Sequence, residues 1–174
     1  DVREVLERAS ARSTAATVAI GAVCKVLLKE FGIALSSRML SVGGEGSPEN
    51  MKAKIIEAME KKDTVGGIFE VFVRGAPVGL GSYAHADRRL DGRLAGALMS
   101  IPGVKAVEVG LGLGYGVSFG SEVHDQIYYS KQKGYFRKTN NAGGMEAGMT
   151  NGQPLLLRAC MKPITTLNQP LLSV

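Results

Sequence analysis

The chain has 174 residues, of which 45% are hydrophobic and 21% are charged, and its net charge at pH 7 is +5. This composition is ordinary for a soluble globular protein, and the length suffices for one domain with a sizeable core. The longest apolar stretch, residues 15–28, contains Thr17 and Lys25, which excludes a membrane span of about 18 apolar residues. The positive charge favours an anionic partner but is too mild to indicate nucleic acid.

The two cysteines, Cys24 and Cys160, lie in apolar segments far apart in the sequence. Neither has CxxC spacing, so we expect buried, reduced thiols in a cytosolic protein rather than a metal or redox pair. The chain starts with Asp1 in a charged segment that does not resemble a signal peptide. Because the chain begins with Asp instead of Met and stops at Ser173-Val174 straight after a Pro-Leu-Leu segment, we expect a piece of a longer protein.

The first half of the chain predicts alternating helices and strands. Residues 11–31 predict a helix that stops at Gly32, and its middle is apolar nearly all round, as in a buried helix. Residues 33–42 predict a strand. Ser47-Pro48 is a good N-cap followed by proline at the first helical position, and an amphipathic surface helix follows.

The second half predicts further strands and a late hairpin. A helix is expected from Leu90 to Ile101, because Pro102-Gly103 ends the helical spacing. Asn151-Gly152 predicts a two-residue turn into the last strand. The remaining strands are predicted at 68–73, 104–109 and 155–161. We expect a single domain over residues 1–174, of α/β or α+β class.

The polar stretch from Arg137 to Pro154 is the segment with the most chemistry. It contains two cations, three asparagines, two threonines and four glycines. Glycine lets backbone N–H groups approach a ligand closely, and Asn and Thr supply neutral hydrogen bonds. The pattern is compatible with a polar hairpin, with a ligand-binding loop, or with both.

Other candidate groups are weaker. Arg8 and Arg12 are four residues apart beside a helix start, which suits either an anion site or a solvated basic face. Residues 110–116 carry glycine at every second position, which does not match the dinucleotide-binding pattern, so a flexible loop is expected. The two histidines, His85 and His124, have no convergent ligand spacing, and no metal site is expected.

Five segments combine these residue types: Arg8-Ala-Ser-Ala-Arg-Ser-Thr-Ala15, Leu90-Asp-Gly-Arg-Leu-Ala-Gly-Ala-Leu-Met-Ser-Ile101, Gly120-Ser-Glu-Val-His-Asp125, Arg137-Lys-Thr-Asn-Asn-Ala-Gly-Gly144 and Met161-Lys-Pro-Ile-Thr-Thr166. Together they resemble chorismate synthase. The segments follow the family's order and spacing over essentially the whole chain.

The resemblance implies an α+β fold, a β-α-β sandwich in which helices pack between antiparallel sheets. It implies a carbon–oxygen lyase that uses reduced FMN to eliminate phosphate (anti 1,4) from 5-enolpyruvylshikimate 3-phosphate, giving chorismate in aromatic amino-acid biosynthesis. It also implies a cytoplasmic homotetramer, linked to NADP, without nucleic-acid or membrane partners. Whether the protein reduces its own flavin stays open.

The resemblance also implies site residues. The family's flavin contacts fall on Arg8, Ala9, Ser10, Pro102, Gly103, Ala147, Lys162, Pro163, Ile164, Thr165 and Thr166. Where relatives often have Gln-Ala or Asn-Ala this chain has Pro102-Gly103, so a side-chain amide contact is missing. Arg12 resembles a substrate-anion arginine, and we place the substrate phosphate on it as a hypothesis.

The family's two proton-transfer histidines are expected before Asp1, and its C-terminal Arg and Asp beyond Val174, so His85 and His124 are not given their roles. Catalytic residues are therefore unassigned, and the chain alone is expected to be incomplete for catalysis. Two alternatives stay open. One is a non-catalytic anion- or nucleic-acid-binding module that uses Arg8, Arg12, Arg137 and Lys138. The other is a fragment that forms only an oligomeric scaffold.

Overall fold

The structure is a computed structural model that describes residues 1–9, 13–165, 167–168 and 171–172. Its helices are α1 (Val2–Ala9), α2 (Thr14–Glu30), α3 (Pro48–Glu60), α4 (Leu90–Met99) and α5 (Gly120–Val123), with 3₁₀ turns at Ala86–Arg88 and Gly112–Val117. Its strands are β1 (Ala34–Val42), β2 (Gly67–Arg74), β3 (Val104–Val109), β4 (Ile127–Ser130), β5 (Gly134–Arg137), β6 (Met145–Glu146), β7 (Met149–Thr150) and β8 (Leu155–Met161).

One four-stranded antiparallel sheet organises the chain, with the strand order β1-β2-β8-β3. Its central register places Arg38 opposite Glu70, Glu70 opposite Arg158 and Arg158 opposite Glu108. Two short hairpins, β4–β5 and β6–β7, stand outside this sheet. The mixture of helices and antiparallel strands is the α+β class that the sequence predicts.

The core lies between one face of this sheet and α4. Side chains alternate between the two faces of a strand, so the apolar residues at every second position of β2 and β8 share a face. Val73, Leu155 and Leu157 are buried there together with Met145. Leu90, Leu94, Leu98, Ile33 and Leu35 pack against this cluster.

Helix α2 corrects the expectation of a buried helix. None of its residues is buried, and Val23 in its middle is 71% exposed. Thr17, Gly21 and Leu28 line the cavity beside the sheet, so only one side of the helix faces the core. The opposite apolar side is uncovered within the described residues. Cys24, which we expected to be buried, is exposed for the same reason.

Most predicted boundaries agree with the structure. Strands β3 and β8 have the predicted bounds, and the Ser47 Oγ accepts the Asn50 N–H at 3.1 Å, which confirms the predicted N-cap of α3. Helix α4 ends at Met99, two residues earlier than predicted. After Ser100 the hydrogen-bond pattern changes, because the Ile101 N–H donates to the Leu98 carbonyl three residues back instead of four.

The predicted Asn151-Gly152 hairpin turn is wrong. The two-residue turn is Ala147-Gly148, between β6 and β7, and both residues have positive φ, 51° and 80°. Two positive φ values are characteristic of a type I′ turn. Asn151 instead donates its N–H to the Gly144 carbonyl, and the following β8 pairs with β2 and β3.

The glycine-rich segment 110–116 is also more ordered than predicted. Gly112–Val117 forms a 3₁₀ turn rather than a flexible loop, and the Gly110 N–H donates to the Leu156 carbonyl.

Among the residues that the structure describes, every helix is too short or too polar to cross a membrane.

Candidate functional site

Two segments that the sequence separates by about sixty residues meet at one end of the sheet. Because β3 and β8 are antiparallel, with Val104 opposite Met161, the residues before β3 lie beside those after β8. The Lys162 N–H donates to the Gly103 carbonyl at 2.9 Å. Gly103 adopts φ 92°, a conformation that side chains disfavour, so Gly at this position permits the turn.

The segment after β8 is exposed but anchored. Residues 162–165 are exposed, and the Ile164 carbonyl accepts a hydrogen bond from Thr64 Oγ1 at 2.7 Å. Pro163 packs against Gly66, where a Cβ would lie 3.1 Å from the proline ring and 2.6 Å from the Met161 carbonyl. The ammonium of Lys162 and the hydroxyl of Thr165 therefore stand on a fixed backbone at the protein surface.

The beginning of α2 lines a cavity together with the residues that follow α4. Ser13 and Thr14 line a largely apolar cavity of about 730 Å³ together with Ser100, Ile101 and Pro102. Free N–H groups in the first turn of a helix favour anions. The start of α2 and the segment after α4 thus line one cavity, and Pro102 in that lining directly precedes the Gly103–Lys162 contact.

Ala147 lies elsewhere. The Gly148 carbonyl accepts the Leu90 N–H at 2.8 Å, which places the Ala147-Gly148 turn at the start of α4. Pro102 follows the end of α4, and the ten residues of this helix span about 15 Å at 1.5 Å per residue. The turn and the Gly103–Lys162 contact are therefore at opposite ends of the helix.

A second cleft, of about 760 Å³, surrounds Ala147 between the hairpins β4–β5 and β6–β7. Tyr135 and Ile127 line one wall. Arg137 and Glu146 also line the cleft, and Arg137 Nη2 lies 2.6 Å from the Glu146 carboxylate. The buried Nε of Arg137 has no hydrogen-bond partner among the described residues. The cleft thus combines an aromatic wall with charged and amide groups.

Asp125 holds the loop that leads into this cleft, residues 139–144, which we call the asparagine loop after Asn140 and Asn141. Its carboxylate accepts the backbone N–H groups of Asn141 at 2.9 Å and Ala142 at 2.8 Å. Partial burial raises the pKa of Asp125, but hydrogen bonds from Ala142, Thr139 and Asn141 outweigh burial and leave the pKa below its usual value. The loop is therefore best ordered while Asp125 is ionised.

The loop asparagines also have structural partners. Asn140 accepts the Gly144 N–H through Oδ1 and donates through Nδ2 to the Pro154 carbonyl, both at 2.8 Å. Asn141 donates its side-chain amide to the Val123 carbonyl at 2.9 Å. These two side chains shape the loop. A hairpin does form within residues 137–154, but its turn is Ala147-Gly148 instead of the predicted Asn151-Gly152, and the ligand-binding interpretation stays a prediction.

The chorismate synthase family model matches residues 1–174. The chain belongs to the chorismate synthase family. The chorismate synthase of Caldanaerobacter subterraneus subsp. tengcongensis is 55% identical over all of this chain and 50% of its own length. That of Thermoanaerobacter pseudethanolicus is 52% identical over the same shares. A crystal structure of chorismate synthase matches with a TM-score of 0.88 at 45% identity, covering 94% of this chain and 59% of that one.

The chain thus spans about half the length of the curated chorismate synthases that it matches. The structural match confirms the fold class that the resemblance implies. Family membership over all 174 residues supports the chorismate synthase interpretation and not the anion- or nucleic-acid-binding module.

The structure brings together only part of the flavin set expected from the chorismate synthase resemblance. Pro102, Gly103 and the exposed segment 162–165 meet, whereas Ala147 is remote from them. Ala9 ends α1 and Arg8 belongs to the same helix. Ser10, Arg12, Thr166 and the side chain of Arg8 lie outside the described residues.

Asp125 ends the motif Gly120-Ser-Glu-Val-His-Asp125, but the sequence did not lead us to predict its role in holding the loop. The available signal was a carboxylate followed some fifteen residues later by a glycine-rich turn whose N–H groups need acceptors. The described residues contain no group of three or more His, Cys, Asp or Glu that could hold a metal ion. His85 and His124 are both exposed.

Proposed function

We propose that this chain belongs to an active chorismate synthase, a carbon–oxygen lyase that eliminates phosphate (anti 1,4) from 5-enolpyruvylshikimate 3-phosphate to give chorismate in aromatic amino-acid biosynthesis. The observation that carries the proposal is the family match over residues 1–174. Residues 1–174 would form one central domain of the enzyme. We further propose a cytoplasmic homotetramer, with NADP as the source of electrons if the protein reduces its own flavin.

The flavin is proposed to bind where Gly103 and Lys162 meet. The donor set suits a phosphate-bearing cofactor, because the Lys162 ammonium and the Thr165 hydroxyl stand together on an exposed, anchored segment. Pro102 offers only its ring and carbonyl, so we expect no side-chain amide contact at this position. Reduced FMN, when bound, supplies an electron transiently to the substrate and recovers it, which leaves no net redox change.

The other proposed residues complete this assignment. Arg8, Ala9 and Ser10 would extend the flavin site from α1, and Pro163, Ile164 and Thr166 from the segment after β8. Arg12, which lies outside the described residues, would hold the substrate phosphate by a bidentate guanidinium contact. Ala147 would contribute from its own cleft, about one α4 length away. The roles of these residues are to bind and orient anionic groups.

The proposal is tested by titrating the 174-residue chain with oxidised and reduced FMN, with and without 5-enolpyruvylshikimate 3-phosphate, followed by flavin absorbance and fluorescence. We expect saturable FMN binding that tightens with substrate. Lys162→Gln should weaken FMN binding about tenfold, the effect of losing one charge-assisted hydrogen bond. An absence of saturable FMN binding would contradict the flavin assignment.

Lys29→Gln is the matched control, because Lys29 is an exposed lysine in the last turn of α2, which leads into the Ala34–Arg74 end of the sheet, whereas Lys162 follows the opposite end, where Gly67 pairs with Met161. It should leave FMN binding unchanged. Equal weakening by both substitutions would indicate a general charge effect instead of a site at Lys162.

Arg12→Ala should reduce substrate affinity, and an unchanged affinity would remove Arg12 from the proposal.

A further inference from the structure

A groove on the other face of the sheet, away from α4 and the core, carries an excess of positive charge. We call it the outer groove; its volume is about 570 Å³. Three arginines from three neighbouring strands line it: Arg38 on β1, Arg74 on β2 and Arg158 on β8. Glu70 is the carboxylate among its lining residues. None of these four residues belongs to the proposed flavin site.

The Glu70 carboxylate already pairs with two of the arginines. It is 4% exposed and accepts hydrogen bonds from Arg38 Nε at 2.8 Å and Arg158 Nε at 3.3 Å. Arg158 also approaches Glu108, but only to 3.8 Å. The carboxylates of Glu70 and Glu108 therefore stand against three guanidiniums, so this face of the sheet retains a net positive charge.

Arg74 supplies an uncompensated cation. Its Cζ lies 4.9 Å from the centre of the Phe72 ring, and no carboxylate of the described residues lies within ion-pair distance of it. Stacking on an aromatic ring restrains a guanidinium while its N–H edge stays free to bind an anion. Arg74 is therefore held beside the groove without losing its hydrogen-bonding capacity.

Arg38 and Ser36 add further donors on β1. Arg38 reaches Glu70 through Nε and Nη2, and its side chain is 72% exposed, so Nη1 stays available. Ser36 lies two residues before Arg38 on the same face of β1, opposite Phe72. The Ser36 hydroxyl makes no hydrogen bond among the described residues. A hydroxyl thus lies between two guanidiniums.

We propose that the outer groove binds a small polyvalent oxyanion of the phosphate or pyrophosphate class. Arg38 and Arg74 are the cationic ligands and Ser36 is the neutral donor. The positions of the two arginines are four residues apart along the strands, roughly 13 Å at about 3.3 Å per residue, so their long side chains can contact the two ends of an elongated ligand. Glu70 holds Arg38 through Nε and Nη2, so Arg38 would contact the ligand through Nη1.

Calorimetric titration of the 174-residue chain with pyrophosphate and, separately, inorganic phosphate tests the proposal. We expect one saturable site that prefers pyrophosphate. Arg74→Gln should weaken pyrophosphate binding about tenfold, because it removes a charge-assisted contact. Ser36→Ala should weaken it less, and thermal melting of both variants checks that they fold.

Lys52→Gln is the matched control, because it removes the same charge from an exposed position on α3. It should leave pyrophosphate binding within about twofold of the wild-type chain, the change expected from a remote screened charge. Equal weakening by Arg74→Gln and Lys52→Gln would overturn the proposal. Binding that survives Arg74→Gln but is lost in Lys162→Gln would instead place the anion at the proposed flavin site and would also overturn it.

Discussion

The Glu70 carboxylate lies 3.3 Å from Arg158 Nε, although the two residues are 88 positions apart in the sequence. They face each other across the central pair of the sheet, β2 and β8. Arg38 approaches the same carboxylate from β1, and Glu108 on β3 approaches Arg158. Opposite charges therefore alternate across all four strands, which favours this register over a slip of one residue.

Glu70→Gln tests this arrangement. The substitution keeps the shape of the side chain but leaves the two guanidiniums without a buried counter-charge, so we expect a loss of about 2 kcal/mol in the free energy of unfolding. Urea denaturation followed by circular dichroism measures the loss. Glu57→Gln on α3 is the control, because Glu57 pairs with lysines at an exposed site. If both variants unfold at the same urea concentration, the charges across the sheet do not stabilise it.

Gly148→Ala should destabilise the turn beside α4. Gly148 has φ 80°, and an added Cβ would lie 2.6 Å from the Ser82 carbonyl oxygen. Strain and steric overlap together should cost about 2 kcal/mol or more. Gly96→Ala is the control, since a Cβ added there would have no neighbour within 4 Å and the residue lies in the exposed part of α4. Thermal melting should show Gly96→Ala to be stabilised by about 0.5–1 kcal/mol.

The local signals in the sequence predict local structure well. Ser47-Pro48 predicts the start of α3 because an N-cap acts within one turn, and the largely apolar runs at 104–109 and 155–161, each preceded by turn residues, predict both strands with their observed bounds. The site could not be predicted in the same way. The Gly103–Lys162 contact depends on β3 and β8 being neighbours, a relationship that no local pattern encodes.

Two errors have physical causes. The apolar surface of α2 predicts burial, but exposure depends on what covers a helix, and in the described residues only the sheet side is covered. Asn151-Gly152 has the preferred composition of a type I′ turn, yet the turn forms at Ala147-Gly148. Pairing of β6 with β7 and the Asn151–Gly144 hydrogen bond decide the position of the turn.

Ala147→Asn should therefore stabilise the chain. Ala147 has φ 51°, a left-handed conformation that costs alanine roughly 1 kcal/mol but that asparagine tolerates. The substitution also creates the Asn-Gly pair that type I′ turns prefer. We expect a gain of about 0.5 kcal/mol or more in the free energy of unfolding, measured by urea denaturation. A loss of stability would indicate that the alanine methyl group packs against a neighbour. Asn substituted at exposed Ala53 on α3 should be destabilising, because asparagine is a poor helix former.

Asp125 should make the stability of the chain depend on pH in the acid range. Its pKa in the folded chain lies below the usual 3.8, because hydrogen bonds from Ala142, Thr139 and Asn141 to its carboxylate outweigh partial burial. A group with a lowered folded pKa contributes stability above its unfolded pKa and loses that contribution as the pH falls through the folded value. The contribution should therefore be complete at neutral pH and decline below about pH 4.

Asp125→Asn should lower stability at pH 7 and flatten this decline, since the amide accepts fewer of the loop N–H groups and does not titrate. Urea denaturation at a series of pH values from neutral to acid measures both effects. Asp87→Asn, at an exposed aspartate in the 3₁₀ turn 86–88, is the control and should follow the wild-type profile. An Asp125→Asn profile parallel to the wild type would show that the loop N–H groups do not depend on the ionised carboxylate, and the asparagine loop would then owe its order to Asn140 and its two hydrogen bonds.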